Sequence, residues 1–307
     1  MGDLLLLREA TVPIGVDAGQ VKTDEEPLLR FGVLSDTHIG TYWMKGINAP
    51  AVEKAFRSFR ERGVDGVMIC GDLTDTGTIE QLKILQAIWE RVFPGNKGKD
   101  GTPVEKLFIT GNHDIQLWRP VEKQSPKDIA PQIEKVWKEV LGENYSPVFT
   151  KEIKGFTFVG ANWAEEKAEV VGPILDRVMK KTPQGKPVFY FQHAPNPQTC
   201  YGSWKGNPNE SHGKAGKVLE KYPNLITFSG HTHKPVINPR SIWQGSYTAI
   251  YAGVVTWVEF PTHMWPHDLP EAACYAKNDC MVSVYQDRIV IERRGISFDR
   301  PLGPDWV

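Results

Sequence analysis

The sequence lacks the long apolar run that a membrane-spanning helix needs. Its N-terminal apolar run covers only residues 4–7, and the acidic residues Asp3 and Glu9 flank it. A spanning helix needs about 20 predominantly apolar residues, and a signal peptide begins with a basic region. We therefore expect no membrane insertion, and we expect the chain as given to be cytoplasmic.

An excess of positive charge is also missing. The chain has 36 Lys and Arg residues against 37 Asp and Glu residues, so its formal net charge is −1. Proteins that bind long nucleic acids tightly usually present a basic surface, although a local basic patch is compatible with a neutral total. The sequence therefore does not favour long nucleic acid as a partner.

Cysteine is scarce, with 4 residues in a chain of 307. Cys70, Cys200, Cys274 and Cys280 are scattered and do not show the paired spacing of a zinc ribbon. Reduced thiols are the expectation, and a disulfide between Cys274 and Cys280 is the alternative.

Internal repeats and low-complexity segments are absent as well, so the organisation follows from hydrophobic patterns. Strand patterns alternate with helix patterns early in the chain and dominate after residue 240. This order favours one α/β domain with two packed sheets over two independent domains. We predict a single domain over residues 1–307, with an N-terminal arm at 1–29 and a β-rich C-terminal segment at 240–307.

Three longer helices are predicted from caps and apolar spacing, and a short one is expected near residues 214–221. The first covers residues 48–62, with Asn48 as its cap and Phe56 and Phe59 on its buried face. Thr78 and Gln81 form a capping box for the second, whose buried face contains Leu82, Leu85, Trp89 and Val92. A third helix is expected within residues 128–141, beginning at or after Pro131 because proline disrupts a helix interior.

Polar side chains follow five of the predicted strands, at the point where each strand ends. They are Asp36 and His38, Asp72, Asn112 and His113, His193, and finally His231 and His233. Ligand sites in α/β proteins gather at the carboxyl ends of strands, so we expect these side chains to form one site. In extended backbone, residues two apart project to the same side, so each Asp-x-His or His-x-His pair can face one object.

The chemistry of this set indicates metal. Two carboxylates, one amide and four imidazoles exceed the three protein ligands that a catalytic zinc usually takes. Two ions about 3.5–4 Å apart, bridged by one carboxylate and a hydroxide, accommodate them. A nitrogen and oxygen ligand set without thiolate suits manganese, iron or zinc.

In this order, the motifs Asp-x-His, Gly-Asp, Gly-Asn-His-Asp, His and Gly-His-x-His resemble those of the calcineurin-like metallophosphoesterases. The resemblance covers residues 36–233 and implies a four-layer sandwich, two mixed β-sheets packed face to face and flanked by helices. It also implies a dinuclear metal-dependent phosphoric ester hydrolase in which a metal-bridging hydroxide attacks phosphorus. One ion would be held by Asp36, His38, Asp72 and His233, and the other by Asp72, Asn112, His193 and His231, with Asp72 as the bridge.

The resemblance gives His113 a different role from that of its neighbours. In the family, the corresponding histidine donates a proton to the leaving oxygen and is oriented by an acid at the position of Asp75. An imidazolium held by a carboxylate is a suitable general acid near neutral pH. For Asp75 the alternative is a cap of the following turn, a position that aspartate favours.

The motifs differ from those of several branches of this family, and these differences narrow the choice of branch. Protein serine/threonine phosphatases carry arginine and glycine where Thr76 and Gly77 follow Asp75, and glutamate in place of Asp114. Purple acid phosphatases have an iron-binding tyrosine where Asp75 stands. The motifs are closer to those of bacterial class III cyclic-nucleotide phosphodiesterases. Recombination nucleases share them too, but they carry coiled-coil or DNA-capping parts that this sequence lacks.

The expected partner is a small phosphate ester, possibly a nucleotide, and both monoesters and diesters are candidates. A catalytically inactive metal-binding scaffold of the same fold is the alternative, but it would have no reason to retain His113. The sequence indicates no particular oligomeric state. Several residues after the motifs or in irregular segments could line a pocket or simply pack, namely Tyr42, Trp43, Trp118, Trp163, Tyr201, Trp204, Trp265, His212, His263 and His267.

Overall fold

The computed structural model describes residues 25–40, 48–115, 133–203, 213–256, 277–296, 300–302 and 304–307. In these ranges the first sheet has the order β12-β11-β10-β1-β2-β3. Its strands are β1 (Leu29–Leu34), β2 (Gly66–Cys70), β3 (Glu105–Ile109), β10 (Asn278–Val284), β11 (Ile289–Gly295) and β12 (Arg300–Pro301). The strands β1, β2 and β3 are parallel, whereas β10 pairs with β1 in the antiparallel direction. The carboxyl ends of the three parallel strands therefore share one edge.

The second sheet of the described residues has the order β4-β5-β6-β7-β9-β8. Its strands are β4 (Val148–Ile153), β5 (Phe156–Ala161), β6 (Val188–Phe191), β7 (Leu225–Ser229), β8 (Ile242–Gln244) and β9 (Thr248–Tyr251). From β5 to β9 the neighbours run parallel, and β4 and β8 are antiparallel edge strands. Both sheets are thus mixed, as the motif resemblance implied.

Helices cover the outer face of each sheet. They are α1 (Asn48–Glu61), α2 (Ile79–Val92), α3 (Ala168–Lys181) and the short α4 (Gly216–Leu219). Phe56 of α1 and Trp89 of α2 share a buried cluster with Val67 of the first sheet. Leu175 of α3 packs with Val188 of the second sheet. The order is helix, sheet, sheet, helix, which confirms the predicted four layers.

The two sheets pack face to face through aromatic side chains. Phe31 of β1 is fully buried, and its ring contacts Phe158, Phe189 and Phe228 of the second sheet at centroid distances of 5.1, 5.0 and 5.9 Å. Edge-to-face contacts of this kind add to the stabilisation from apolar burial. This core fixes the second sheet against the first and therefore the strand ends against each other.

The predicted helices agree with the structure except in their details. Asn48 is the first residue of α1, and the Gln81 N–H donates to Thr78 Oγ1 at 3.2 Å. The Gln81 side chain, however, accepts from the Thr76 N–H instead of completing the capping box. Of the third predicted helix, residues 133–136 are α-helical and Trp137–Leu141 are π-helical, and its earlier part lies outside the described residues.

Four of the described strands and helices were absent from the prediction, namely β4, β8, β12 and α3. β4 and α3 follow no motif, and the proline inside α3, Pro173, argued against a continuous helix. In the C-terminal part, the apolar runs at residues 281–285 and 288–292 predict a hairpin with its turn at Gln286 and Asp287. β10 and β11 form this hairpin, and the Tyr285 N–H donates to the Arg288 carbonyl at 2.8 Å. The C-terminal strands thus complete the first sheet beside β1.

Other sequence predictions fall outside the described residues. These are the N-terminal arm up to residue 24, Cys274, Tyr42, Trp43, Trp118, Trp204, Trp265, His212, His263 and His267. Among the described cysteines, Cys70, Cys200 and Cys280 are all buried. The alternative disulfide between Cys274 and Cys280 involves a residue outside the described ranges. No helix in the described part of the chain is long and apolar enough to cross a membrane.

Candidate metal centre

Side chains from both sheets converge at the shared edge of strand ends. Ligand atoms of Asp36, His38, Asp72 and His233 lie within 4.8 Å of one another, and so do those of Asp72, His193 and His231. A third group of the same kind contains His38, Asp75 and His113. Six of the seven predicted ligands therefore belong to these groups. The seventh, Asn112, contacts His193 of the second group.

The first ligand cluster consists of Asp36, His38, Asp72 and His233, all of them buried. Asp36 Oδ1 lies 3.3 Å from His233 Nε2, and His38 Nε2 lies 3.5 Å from Asp72 Oδ2. The shortest separations thus join a carboxylate oxygen to an imidazole nitrogen.

The second ligand cluster consists of Asp72, Asn112, His193 and His231. His193 Nε2 is at its centre, 3.2 Å from Asp72 Oδ2, 3.1 Å from Asn112 Oδ1 and 3.2 Å from His231 Nδ1. Asp72 is the residue that the two clusters share.

The hydrogen bonds of His193 indicate that this arrangement requires a cation. Its Nδ1 lies 2.7 Å from the Cys70 carbonyl, which can only accept, so Nδ1 carries the proton. The lone pair of Nε2 then faces two oxygens, from Asp72 and Asn112, that can only accept as well. A proton or a metal ion must relieve this repulsion, and the neighbouring His231 offers a further nitrogen. The donor set therefore fits a metal ion.

The pKa values of His193, His231 and Asp72 also indicate that this cluster favours a bound positive charge. Burial disfavours the imidazolium form of His193, but Asp72 and Asp36 outweigh this effect and raise its pKa to about 10. Burial together with the charge on His193 lowers the pKa of His231 to about 3, which keeps its nitrogens available as ligands. The carboxyl of Asp72 is buried, which raises its pKa, yet the surrounding histidines lower the pKa below its usual value.

The backbone of the ligand residues differs from the extended conformation that the sequence suggested. Asp36, His38, Asp72, His231 and His233 have φ angles of 53, 39, 50, 71 and 48°. This left-handed region is uncommon for residues other than glycine, and such strain clusters at functional sites. Each Asp-x-His or His-x-His pair still reaches the site, but it does so through tight left-handed turns.

Backbone contacts between motifs set the spacing of the loops. The Asp36 N–H donates to the Gly71 carbonyl at 3.1 Å, and the His231 N–H donates to both carboxylate oxygens of Asp36 at 3.2 and 3.0 Å. A Cβ on Gly111 would lie 2.1 Å from Asp72 Oδ1, and one on Gly230 would lie 1.8 Å from Ser35 Oγ. The glycines before the candidate ligands therefore permit a close approach of the motif loops.

Asp114, the last residue of Gly-Asn-His-Asp, joins two of these loops. Its buried carboxylate accepts from the N–H groups of Leu73, Thr74 and Gly111 at 3.1, 2.8 and 2.8 Å. Burial and the charge of Asp72 raise the pKa of Asp114 to about 6. Its hydrogen bonds hold the loop after β2 against the loop after β3.

Asp75 contacts a different histidine from the one that the resemblance suggested. Its Oδ1 lies 3.2 Å from His38 Nδ1 but 3.9 Å from His113 Nδ1, which is beyond hydrogen-bond distance. His113 Nδ1 instead lies 2.7 Å from the backbone carbonyl of Asp75. The carboxylate therefore orients the candidate ligand His38, and the backbone of Asp75 orients His113.

The loop after β5, residues 162–167, reaches the site although no motif marked it. The Trp163 ring lies 5.6 Å from both the His193 and His231 rings, and buried Glu166 accepts the His193 N–H at 2.5 Å. Burial raises the pKa of Glu166 to about 7. The position of this loop could have indicated its role, because β5 is parallel to β6 and ends at the same edge of the sheet. Tyr201, the other aromatic candidate in the described part, is buried.

A groove of about 880 Å³ lies elsewhere, at the opposite ends of the strands. Residues that line it include Phe156 and Ile226, near the beginnings of β5 and β7, and Val284 at the end of β10. None of the candidate ligands contributes to its lining. The groove and the ligand clusters are therefore separate features at opposite ends of the strands.

Comparisons with known proteins agree with this geometry. The family model of calcineurin-like phosphoesterases matches residues 29–235. A search of curated protein sequences returned no match. Among solved structures, a dimetal phosphatase from Danio rerio has 14% sequence identity and a TM-score of 0.54, with 92% of this chain and 100% of that chain covered.

A purple acid phosphatase from yellow lupin seeds has 12% identity and a TM-score of 0.53, with 89% of this chain covered. This chain spans 52% of the lupin enzyme's length. At such identities the two structures support the fold alone. Because the family model matches more than half of the chain and includes every candidate ligand, the chain belongs to the calcineurin-like phosphoesterase family and is a phosphoric ester hydrolase.

Proposed function

We propose that the protein hydrolyses small phosphate esters with two metal ions. Asp36, His38, Asp72 and His233 would hold one ion, and Asp72, Asn112, His193 and His231 the other. The observation that carries this proposal is the position of Asp72, whose carboxylate belongs to both ligand clusters. The name of the zebrafish relative, a dimetal phosphatase, is consistent with two ions.

The ligand types favour manganese, iron or zinc, because the set combines imidazole nitrogens with carboxylate and amide oxygens and contains no thiolate. When bound, two such ions activate water as a nucleophile and neutralise charge on the phosphoryl oxygens. The protein contributes a rigid frame for them, since the backbone N–H groups of His231 and His113 donate to Asp36 and Asp72.

His113 would act as the general acid. Its Nδ1 donates to the Asp75 carbonyl at 2.7 Å, so in the protonated ring Nε2 carries the second, transferable proton. The side chain is 29% exposed, whereas those of His38 and His193 are 0% exposed. His113 can therefore reach a substrate oxygen at the opening of the site while His38 and His193 remain buried.

The substrate class is a small phosphate ester, with nucleotides among the candidates and with both monoesters and diesters considered. Support comes from the motif resemblance to class III cyclic-nucleotide phosphodiesterases and from the even charge of the chain, which does not favour long nucleic acid. Comparing p-nitrophenyl phosphate with bis-p-nitrophenyl phosphate separates the two ester types.

The test combines metal analysis with hydrolysis. Protein stripped with a chelator should be inactive on both esters, and Mn²⁺ should restore activity with two ions bound per chain. Asp72→Asn should lose ions from both clusters, whereas the control Asp100→Asn, at an exposed turn, should bind like the wild type. A single ion per fully active chain, or full activity after complete metal removal, would contradict the proposal.

A further inference from the structure

The loop at residues 162–167, between β5 and α3, contacts the second ligand cluster at several points. Asn162 Oδ1 accepts from the Thr110 N–H at 2.7 Å and from Thr110 Oγ1 at 3.1 Å. The Trp163 N–H donates to the Thr110 carbonyl at 3.1 Å. Thr110 stands directly before Gly111 and the ligand Asn112, so the loop fixes the start of that motif.

The same loop holds the backbone of His193. Glu166 Oε1 accepts the His193 N–H at 2.5 Å and the Ala194 N–H at 3.4 Å. Glu166 is only 6% exposed, and a buried carboxylate is stable only when donors such as these satisfy it. The His193 carbonyl in turn accepts from the Gly230 N–H at 2.8 Å, which connects it to the loop that carries His231.

Trp163 contacts the imidazole rings of His193 and His231. Its ring centroid lies 5.6 Å from that of His193, in an edge-on arrangement, and 5.6 Å from that of His231. Ala164, the next residue, has a φ of 73°, a conformation that is uncommon for alanine. This strained turn separates Trp163 and Glu166, so that one meets the rings while the other meets the His193 backbone.

All of these contacts involve His193 or His231 directly, or the segment that carries Asn112. We infer that residues 162–167 form a positioning loop for the second ligand cluster, with Glu166 and Trp163 setting the affinity of that cluster for its metal ion. The inference rests on the proposed two-ion function. Groups that orient metal ligands typically contribute about 10- to 100-fold in metal affinity.

The test is calorimetric titration of chelator-stripped protein with Mn²⁺, together with electron paramagnetic resonance of the loaded protein. Wild-type protein should show two binding steps and a spin-coupled signal. Glu166→Ala should weaken one step about 10- to 100-fold and give an uncoupled signal at one equivalent of Mn²⁺. Trp163→Ala should weaken the same step, and Trp163→Phe should weaken it less because a ring remains.

Glu166→Gln is the rescue variant, because its amide oxygen can still accept the His193 N–H. It should recover most of the affinity that Glu166→Ala loses. Glu169→Ala is the matched control, since Glu169 is an exposed acid three residues further along. Its two binding steps should equal those of the wild type.

The outcomes separate this inference from the function on which it rests. Wild-type protein that binds fewer than two Mn²⁺ ions would overturn the proposed function and the inference together. Two wild-type steps with unchanged affinities in Glu166→Ala and Trp163→Ala would overturn the inference alone, as would equal weakening of both steps. If circular dichroism shows that Glu166→Ala does not fold, the affinities of Trp163→Ala decide the inference by the same criteria.

Discussion

At the scale of single residues, two neighbouring histidines have different surroundings and should behave differently when mutated. His38 is buried with its Nδ1 3.2 Å from the Asp75 carboxylate, and His113 is partly exposed with its Nδ1 on a backbone carbonyl. The first arrangement is typical of a metal ligand whose other nitrogen is held by a carboxylate. The second arrangement leaves His113 Nε2 able to carry a transferable proton at the opening of the site.

His113→Ala should keep both metal ions and lose activity according to the leaving group. A positioned proton donor typically contributes about 10²- to 10⁴-fold when an alkoxide departs. The loss should therefore be large on alkyl phosphates and much smaller on p-nitrophenyl esters, whose leaving group is stable as an anion. Elemental analysis and kcat on both esters measure this. Equal losses on both esters would indicate that His113 binds phosphate and does not donate a proton.

Asp75→Ala should show a different pattern, because the Asp75 carboxylate lies within hydrogen-bond distance of His38 Nδ1 at 3.2 Å but not of His113 Nδ1 at 3.9 Å. Removing the carboxylate leaves His38 Nδ1 without this acceptor, and we expect about 10- to 100-fold weaker binding of one Mn²⁺ ion. Raising the Mn²⁺ concentration should restore most of kcat on both ester types. A leaving-group dependence like that of His113→Ala would instead assign the Asp75 carboxylate to the proton donor.

At the scale of elements, five strand exits were predictable because a short polar motif follows each of these parallel strands. The apolar runs predict strand ends at residues 34, 70, 110, 192 and 228. The strands β1, β2, β3, β6 and β7 end at residues 34, 70, 109, 191 and 229. The left-handed turns at Asp36 and His231 were not predictable, because no sequence signal marks a strained non-glycine residue. Glu166 was missed for a related reason, since its partner is a backbone N–H from a distant strand.

Gly111→Ala tests whether the close approach of two motif loops holds the site together. The added Cβ would lie 2.1 Å from Asp72 Oδ1 and 2.4 Å from Asp72 N, so the loops after β2 and β3 would have to separate. We expect loss of both ions and a lower Tm. In the control Gly216→Ala the nearest atoms are 3.7 Å away, and neither quantity should fall. Normal metal content in Gly111→Ala would show that the loops tolerate displacement.

At the scale of the whole molecule, the candidate ligands come from both sheets. The first sheet supplies Asp36, His38, Asp72 and Asn112, and the second supplies His193, His231 and His233. Each proposed ion would therefore bind side chains from both sheets at one edge, while the Phe31 contacts hold the sheets together in the interior.

Metal binding should consequently stabilise the entire sandwich. A ligand that binds only the folded state adds about 2.7 kcal/mol to the free energy of unfolding when its free concentration is 100 times Kd. Unfolding separates the two sheets and with them the ligands of both ions, so Mn²⁺ should raise the Tm of the chelated protein in a concentration-dependent way. Asp72→Asn should lack most of this increase, because Asp72 belongs to both clusters, and Asp100→Asn should keep it. If Mn²⁺ raised the Tm of Asp72→Asn as much as that of the wild type, the stabilising ions would bind elsewhere on the molecule.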